Sequence, residues 1–347
     1  MKNRSIHLGL ALVLAGSMLA ACGDDSDDDA SSEEDASPSG PAEGSTTTSE
    51  AAEPEATTIR VTTLNLCSEH IHWGIEKGLF ADAGLDVELL RTAGGAEGLA
   101  AIVGGSADIS YTNTLSSLLA IQQGFPVQIV AGSTSATEGS HPVLVAADSD
   151  IESPADLSGT TVAIAELGGI GQYLVQRWIA DDGGDDSTTS FVSLPRTELV
   201  DAVVSHKVDA VYVDPARAFK AQADGIGRVL GNPVYEATGA SPASIYISTD
   251  EFVEENEDAM ATWVEVMEQA AEQFADPANA TERNAVMSAV CGQPAESIAA
   301  STPYEPEFDG FISMETLGKV YDVLVAEGAL REGGVDLEAS VAEFARE

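Results

Sequence analysis

The feature that most constrains the fold is a regular alternation of short β-branched segments with helical segments, which begins near residue 58. Because a helix is the usual crossover between parallel strands, this alternation predicts an α/β protein with mostly parallel sheets covered by helices. Strands are predicted over residues 58–66, 85–90, 107–111, 127–131, 160–165, 189–193 and 208–213. Helices are predicted over residues 72–82, 96–103, 114–123, 171–180 and 198–205, and helix after helix from residue 249 to 347.

A short sequence is repeated in the two blocks of this alternation. Residues 101–111 (AIVGGSADISY) and residues 202–212 (AVVSHKVDAVY) share Ala, Val, Asp and Tyr at the same offsets. The repeat predicts two similar halves, each with an Asp before a buried strand. Since open parallel sheets bind ligands beyond the carboxyl ends of their strands, residues 112–113 and 213–214 are expected at equivalent edges of a cleft.

The start of the chain is predicted to be a targeting segment. Lys2 and Arg4 precede an apolar run over residues 8–19, which is too short to cross a bilayer and is typical of a signal peptide over residues 1–21. The sequence Leu-Ala-Ala-Cys ending at Cys22 resembles the lipobox of bacterial lipoproteins, in which the Cys is acylated. A chance Cys after an ordinary signal peptide is the alternative, and the combination of apolar run, small residues, Cys and long spacer favours lipidation.

Residues 22–57 are predicted to be a disordered acidic tether. Between Cys22 and Thr58 there is no Ile, Leu, Val, Met, Phe, Trp or Tyr, so the segment cannot bury enough apolar area to offset its ordering entropy. The remaining body holds 46 acidic and 13 basic residues. Such a field disfavours nucleic acid and anionic lipid as partners, and membrane contact is expected only through the lipid on Cys22.

Two cysteines of the body, Cys67 and Cys291, either form a disulfide or are two buried free thiols, and the spacing does not choose between these states. Trp73 is expected in the core rather than against a cofactor. His70 and His72 stand two apart and cannot share one helix face, and no Cys/His cluster has metal-ligand spacing. No metal and no cofactor are therefore expected.

A family resemblance is carried by residues 75–88 (IEKGLFADAGLDVE), which resemble a signature of substrate-binding proteins of ABC importers for nitrate, sulfonate, taurine and thiamine precursors. Further similarities follow in the family's order over residues 104–108, 124–127, 153–162 and 208–215. The resemblance extends over roughly residues 58–345, which is essentially the whole body.

The resemblance implies a two-lobed type II periplasmic-binding-protein fold, with a hinged cleft between lobes that each contain a mainly parallel sheet flanked by helices. Lobe 1 would comprise residues 58–136 plus 248–347 and lobe 2 residues 137–247, with hinges near residues 134–142 and 237–243. It also implies a small-molecule solute as ligand, an ABC permease and ATPase as partners, an extracytoplasmic location and a monomeric state.

Candidate ligand contacts lie where predicted strands end and helices begin: Ser68, Glu69, His70, Thr112, Asn113, Thr134, Gly169, Gly171, Gln172, Tyr212 and Asp214. Helix capping alone explains one of Ser68 and Glu69 and one residue near Asn113. The glycine-rich helix start suits an anion, but Glu166 beside it would repel one. The acids therefore favour a neutral or nitrogen-rich solute such as a thiamine-type pyrimidine, with sulfonate, nitrate or taurine as alternatives.

Two other functions are compatible with this fold. An enzyme is disfavoured, because no Ser/His/Asp set with nucleophile-elbow spacing is found. A ligand-sensing receptor subunit would have the same fold and binding chemistry, and the fold does not distinguish it from a transport component.

Overall fold

The computed structural model describes residues 56–302 and 306–347. These residues belong to one compact unit, Ala52–Glu347. The predicted signal peptide, the lipidation site Cys22 and nearly all of the predicted tether lie outside the described residues. Within the described residues, none of the helices combines the length and the apolar character that a membrane crossing would require.

The first part of the described chain alternates strands and helices, as predicted. Its elements are β1 (Thr57–Thr63), α1 (Ile71–Glu76), α2 (Leu79–Asp82), β2 (Leu85–Arg91), α3 (Gly95–Val103), β3 (Ile109–Asn113), α4 (Thr114–Gln122) and β4 (Val127–Ser135). The single helix predicted over residues 72–82 is two short helices, because Gly78 between them has φ +74° and cannot continue a right-handed helix.

The middle part contains β5 (Val143–Ala146), β6 (Thr161–Ile164), α5 (Ile170–Asp181), β7 (Ser190–Ser193), α6 (Leu199–Val204), β8 (Ala210–Tyr212), α7 (Pro215–Ala223), β9 (Gly227–Gly231) and α8 (Pro233–Thr238). The last part contains β10 (Pro242–Thr249), α9 (Asp250–Glu255), α10 (Glu257–Ala275), α11 (Ala280–Cys291), α12 (Ala295–Ser301), β11 (Glu307–Phe308), α13 (Met314–Ala326) and α14 (Leu337–Ser340). The predicted run of C-terminal helices is therefore interrupted by one short strand.

The strands form two sheets, of order β11-β4-β10-β3-β1-β2 and β7-β6-β8-β5-β9. The prediction of an α/β fold with two mainly parallel sheets is confirmed, because β1 to β4 run in one direction in the first sheet and β6 to β9 run in one direction in the second. Strand β10 runs antiparallel to β3 and β4, and β5 runs antiparallel to β8 and β9. Each of these two strands enters its sheet from the other sheet, so the rule that a helix connects parallel strands within one sheet does not apply to it.

The repeated sequence has the same structural role in both sheets. The Asp108 carboxylate accepts the backbone N–H of Arg60 at 2.7 Å, and the Asp209 carboxylate accepts the backbone N–H of Thr161 at 2.8 Å. Each Asp stands directly before one strand, β3 or β8, and thereby joins it to the parallel neighbour, β1 or β6. Equivalent residues of the two halves are 101 positions apart, and the prediction of two similar halves is confirmed.

The chain passes between the sheets twice, through residues 136–142 and residues 232–241. The two crossings lie side by side, because the N–H of Ala136 donates to the carbonyl of Ser241 at 2.8 Å and the Asn232 amide donates to the carbonyl of Thr137 at 2.6 Å. The chain returns to the first sheet at Pro242, where β10 begins. This position lies six residues before the predicted lobe boundary at 248.

One helix covers much of a face of the six-stranded sheet. Helix α10 buries residues at spacings of three and four, among them Met260, Trp263, Met267 and Phe274. The Trp263 ring meets Tyr246 of β10 edge to face, with ring centroids 5.1 Å apart. This periodic apolar stripe fixes α10 on the sheet.

Candidate ligand-binding cleft

A cavity of about 190 Å³, here called the inner cavity, lies where the carboxyl ends of strands from both sheets meet. It adjoins a wider outer cavity of about 700 Å³, and Ser68, Arg196 and Asp214 line both. Nine of the eleven candidate residues line the inner cavity: Ser68, Thr112, Asn113, Thr134, Gly169, Gly171, Gln172, Tyr212 and Asp214.

The other two candidates, Glu69 and His70, are fully buried and do not line either cavity. The chain turns back after β1, so the Glu69 carboxylate accepts the backbone N–H groups of Leu64 at 3.1 Å and Leu66 at 2.7 Å. The His70 ring packs near Phe274 and Phe308, with centroids 6.4 and 6.0 Å away. Burial lowers the pKa of His70 to about 3, so its ring is neutral at physiological pH. These two residues are therefore not placed to contact a ligand directly.

Two of the residues at the cavity edge cap helices. The Asn113 side chain accepts the N–H of Ser116 at 2.9 Å at the start of α4, and Asp214 accepts the N–H of Arg217 at 3.1 Å at the start of α7. The Asp214 carboxylate also forms an ion pair with the Arg217 guanidinium. Because its charge is compensated, Asp214 does not make the cavity strongly acidic.

The glycine-rich segment places the start of α5 against the cavity. A Cβ atom on Gly171 would lie 2.6 Å from Cε1 of Tyr212, so only glycine allows the tyrosine ring to contact the helix. The Gln172 side chain accepts the N–H of Gly168, which has φ +75°. Because the first N–H groups of a helix lack intrahelical acceptors, this helix start can hold an electronegative group of a ligand.

Arg196 is the principal site residue that the sequence analysis did not single out. It begins a 3₁₀ turn, Arg196–Glu198, and lines both cavities. Among the described residues its guanidinium has no hydrogen-bond or ion-pair partner. It follows Ser193, where β7 ends, so the rule that ligand contacts follow strand ends would have identified it.

The Arg196 charge acts on groups of both sheets. Burial raises the pKa of Glu69 to about 7, and it raises the pKa values of Tyr111 and Tyr212 above their ordinary range. In all three cases the positive charge of Arg196 acts in the opposite direction and lowers the pKa. The guanidinium therefore lies within electrostatic reach of both walls of the cleft.

Glu166 lies at the cavity, but it faces the opposite half. A Cβ atom on Gly94 would lie 3.4 Å from both of its carboxylate oxygens, which places the carboxylate against the start of α3. A helix start stabilises negative charge, so part of the Glu166 charge is offset there.

The remaining wall of the inner cavity is largely apolar, with Leu64, Leu66, Ile164 and Leu199 among its residues. The His141 ring lies nearly parallel to the Tyr212 ring, at an angle of 16° and a centroid distance of 6.3 Å. Burial lowers the pKa of His141 to about 4, so this ring is neutral. The cavity thus combines apolar and flat surfaces with a small number of polar groups, which is typical of sites for small organic molecules.

A disulfide joins Cys67 to Cys291 and borders the outer cavity. It connects the loop after β1 to the end of α11, so the alternative of two free thiols is wrong. Trp73 is fully buried beside it, in a cluster with Phe274 and Met287. Across residues 56–302 and 306–347, no three His, Cys, Asp or Glu side chains are grouped so as to hold a metal ion.

Two sheets joined by two crossings, with a cavity between their strand ends, have the fold of the periplasmic-binding-protein class. The chain belongs to the NMT1/THI5 like family, whose model matches residues 69–280, more than half of its length. No curated protein sequence matches the chain significantly.

Solved structures share this fold. The alkanesulfonate-binding protein SsuA from Xanthomonas axonopodis pv. citri, bound to MOPS, is 19% identical with a TM-score of 0.70, covering 84% of this chain and 99% of SsuA. The periplasmic nitrate-binding protein NrtA from Synechocystis PCC 6803 is 19% identical with a TM-score of 0.60, covering 70% of this chain and 69% of NrtA. The desulfurization enzyme DSZB is 16% identical with a TM-score of 0.59, covering 83% of this chain and 97% of DSZB.

Proposed function

We propose that this protein is the solute-binding component of an ABC importer, which captures a small organic molecule between its two sheets and delivers it to a membrane permease driven by an ATPase. The family membership, the fold and the cavity at the strand ends support this role. The two crossings supply the connection about which the halves would close on the solute.

The proposal includes an extracytoplasmic location with a lipid anchor at Cys22. The signal-peptide pattern, the residues before Cys22 and the acidic tether support it. The disulfide between Cys67 and Cys291 is consistent with an oxidising compartment. A tether of this composition would hold the binding body away from the membrane surface and leave it free to meet the permease.

The solute is proposed to carry a negatively charged group on an apolar or flat body. The observation that carries this proposal is the guanidinium of Arg196, which lies between the two walls and has no partner within residues 56–302 and 306–347. The sequence alone suggested that acidic residues near the site would exclude anions. That reason no longer holds, because Asp214 pairs with Arg217 and Glu166 lies at a helix start. The apolar wall and the faces of Tyr111 and Tyr212 suit the body of such a molecule.

The proposal is tested by identifying the ligand and then removing the guanidinium. Native mass spectrometry of the purified protein should reveal a bound anion, and calorimetry should rank sulfonates, carboxylates, nitrate and thiamine-type pyrimidines. Arg196→Gln should weaken binding of the preferred anion about ten- to a hundred-fold, since a hydrogen bond to a charged group contributes about 1.5–3 kcal/mol.

The matched control is Arg91→Gln, which removes an exposed guanidinium that lines only the outer cavity. Its effect on affinity should stay below about threefold, because an exposed charge is screened by solvent. Equal losses of affinity in the two variants would mean that Arg196 acts only through the overall positive field of the cleft and not through direct contact with the anion. Preferential binding of neutral pyrimidines would overturn the proposed ligand class, and chemical conversion of the bound solute would replace transport with catalysis.

A further inference from the structure

The guanidinium of Arg217 joins the two halves of the protein beside the outer cavity, which it lines. On its own half, it forms an ion pair with Asp214. From the opposite half, the side-chain oxygen of Gln293 accepts the Nη2–H group at 2.6 Å and the Nε–H group at 2.9 Å, with the amide turned so that this oxygen faces the arginine. One cation thus holds an acidic residue of the inner cavity and a residue of the other half at the same time.

The segment that carries Gln293 is fixed to the first half. Cys291, two residues earlier, is bonded to Cys67 in the loop after β1. Helix α12, which begins two residues later, shares a buried cluster with the first half through Ile298 and Trp73, and it also packs against α7 of the second half. Gln293 therefore moves with the first half, and its contact with Arg217 forms only when the halves are close together.

Another contact between the halves lies near the crossings. The Arg177 guanidinium of α5 forms an ion pair with Glu327 at the end of α13. One turn earlier on α13, Val323 packs against a cluster that contains Ala136 of the first crossing. The Arg177 contact is therefore close to the axis about which the halves would turn.

The Arg217 contact lies at the other end of the cleft. Among the described residues, none from either crossing lines the outer cavity, whereas Arg217 and Cys291 both do. Halves that turn about the crossings separate most at points far from them. Opening of the cleft must therefore break the contact between Arg217 and Gln293.

We infer that Arg217 and Gln293 form a latch that holds the two halves together over a bound solute, and that Arg217 is the positioning residue that links closure to Asp214 in the inner cavity. The inference rests on the proposed function. In the open state, Arg217 keeps Asp214 and exchanges Gln293 for water. Because a hydrogen bond to a charged group is stronger than one between neutral groups, the latch favours closure and slows the release of the solute.

The first test needs no solute. Pulsed electron resonance measures the distance between spin labels that ketone amino acids carry at the exposed positions Leu90 and Glu198, one on each half. Gln293→Ala should lower the ratio of closed to open molecules, and Gln293→Glu, which offers Arg217 a charged acceptor, should raise it, each by at least about threefold. A mostly closed wild type reveals the first change and a mostly open one reveals the second. A distance distribution that neither variant alters would overturn the inference.

The matched control is Glu327→Gln, which removes the charge from the contact near the crossings. It should change the ratio of closed to open molecules by less than about twofold, because this contact lies near the axis and an ion pair with a partly exposed arginine adds little. An effect equal to that of Gln293→Ala would mean that contacts anywhere between the halves hold the closed state, and the latch would be rejected.

The second test uses benzenesulfonate, an anion with a flat apolar body, as the probe solute. In stopped-flow displacement, Gln293→Ala should release it about three- to thirtyfold faster than the wild type, since water at the cavity edge replaces only part of the lost contact. Gln293→Glu should release it more slowly. The association rate should change by less than about threefold, because the latch forms after the solute has entered. A change confined to the association rate would overturn the latch.

The outcomes separate the inference from the proposed function. If the distances shift as expected and no anion binds, the latch is supported and the proposed ligand class is rejected. If benzenesulfonate binds and leaves all variants at the same rate, the latch is rejected and the proposed ligand class stands.

Discussion

Removal of the disulfide should weaken both the stability of the protein and its binding of the solute. The bond joins residues 224 positions apart, and the loop that it closes contains the whole five-stranded sheet. For a loop of this length, the chain-entropy relation gives about 5 kcal/mol of stabilisation, of which measured cases usually show about 2–5 kcal/mol. The variant Cys67→Ala/Cys291→Ala should therefore lose at least about 2 kcal/mol of the free energy of unfolding.

The effect on binding follows from where the bond lies. Cys67 stands between Leu66 and Ser68, and both neighbours line the inner cavity. Without the bond, this loop keeps the hydrogen bonds of Glu69 and the packing of Leu64 and Leu66 on the core, but it loses its covalent link to α11. Part of the binding energy must then be used to order it. A loss of affinity of about three- to thirtyfold is expected, which corresponds to ordering about one residue.

Urea denaturation at pH 7, with and without a phosphine reductant, measures the effect of the disulfide on the free energy of unfolding. The reduced wild type and the double variant should unfold at the same urea concentration, and the reductant should not affect the double variant. The reasoning would be refuted if the free energies of unfolding of the oxidised wild type and the double variant differed by less than about 1 kcal/mol. Closing the loop would then hardly constrain the unfolded chain.

Two further predictions concern Glu69 and Gly171. Burial raises the pKa of Glu69 from 4.5 to about 7, so the folded protein retains a proton that the unfolded chain has already lost. The contribution of Glu69 to the free energy of unfolding should therefore be present below pH 4.5 and be lost as the pH rises through about 7, by about 3 kcal/mol in total. Urea titrations at pH 5 and 8 should show this loss in the wild type relative to Glu69→Gln. Gly171→Ala should displace the Tyr212 ring, destabilise the protein by about 1–3 kcal/mol and weaken solute binding. In the matched control Gly318→Ala, where the added methyl meets no atom within 4 Å, stability should be unchanged or rise by up to about 1 kcal/mol, and equal effects of the two substitutions would contradict the packing argument.

The strands that the sequence predicted are those with helical crossovers on their flanks. Strands β1 to β4 and β6 to β8 lie where the alternation placed them, within a few residues. Strands β5, β9 and β10 had not been predicted. They lie around the two crossings, where the pairing depends on strands of a distant segment rather than on a local pattern.

The candidate site divides in the same way. Residues that follow strand ends, such as Thr112 and Gly171, could be placed from the sequence because the direction of a parallel strand determines which end faces the cleft. The sequence could not predict which charged groups of the site would face the cleft and which would be buried. Glu69 follows the same rule, but its carboxylate turns inward to the N–H groups of Leu64 and Leu66, a choice that depends on the path of a loop.

By itself, the sequence determined that the chain has an α/β body made of two related halves, because hydrophobic periodicity and turn residues act over short distances and recur at a constant offset of 101 positions. The tertiary structure decided the electrostatics of the cleft. Asp214 is paired with Arg217, Glu69 is fully buried, and Arg196 has no hydrogen-bond or ion-pair partner among the described residues. Since the effect of a charge in a cleft depends on its neighbours in space, the proposed preference for an anion could be inferred only from the folded protein.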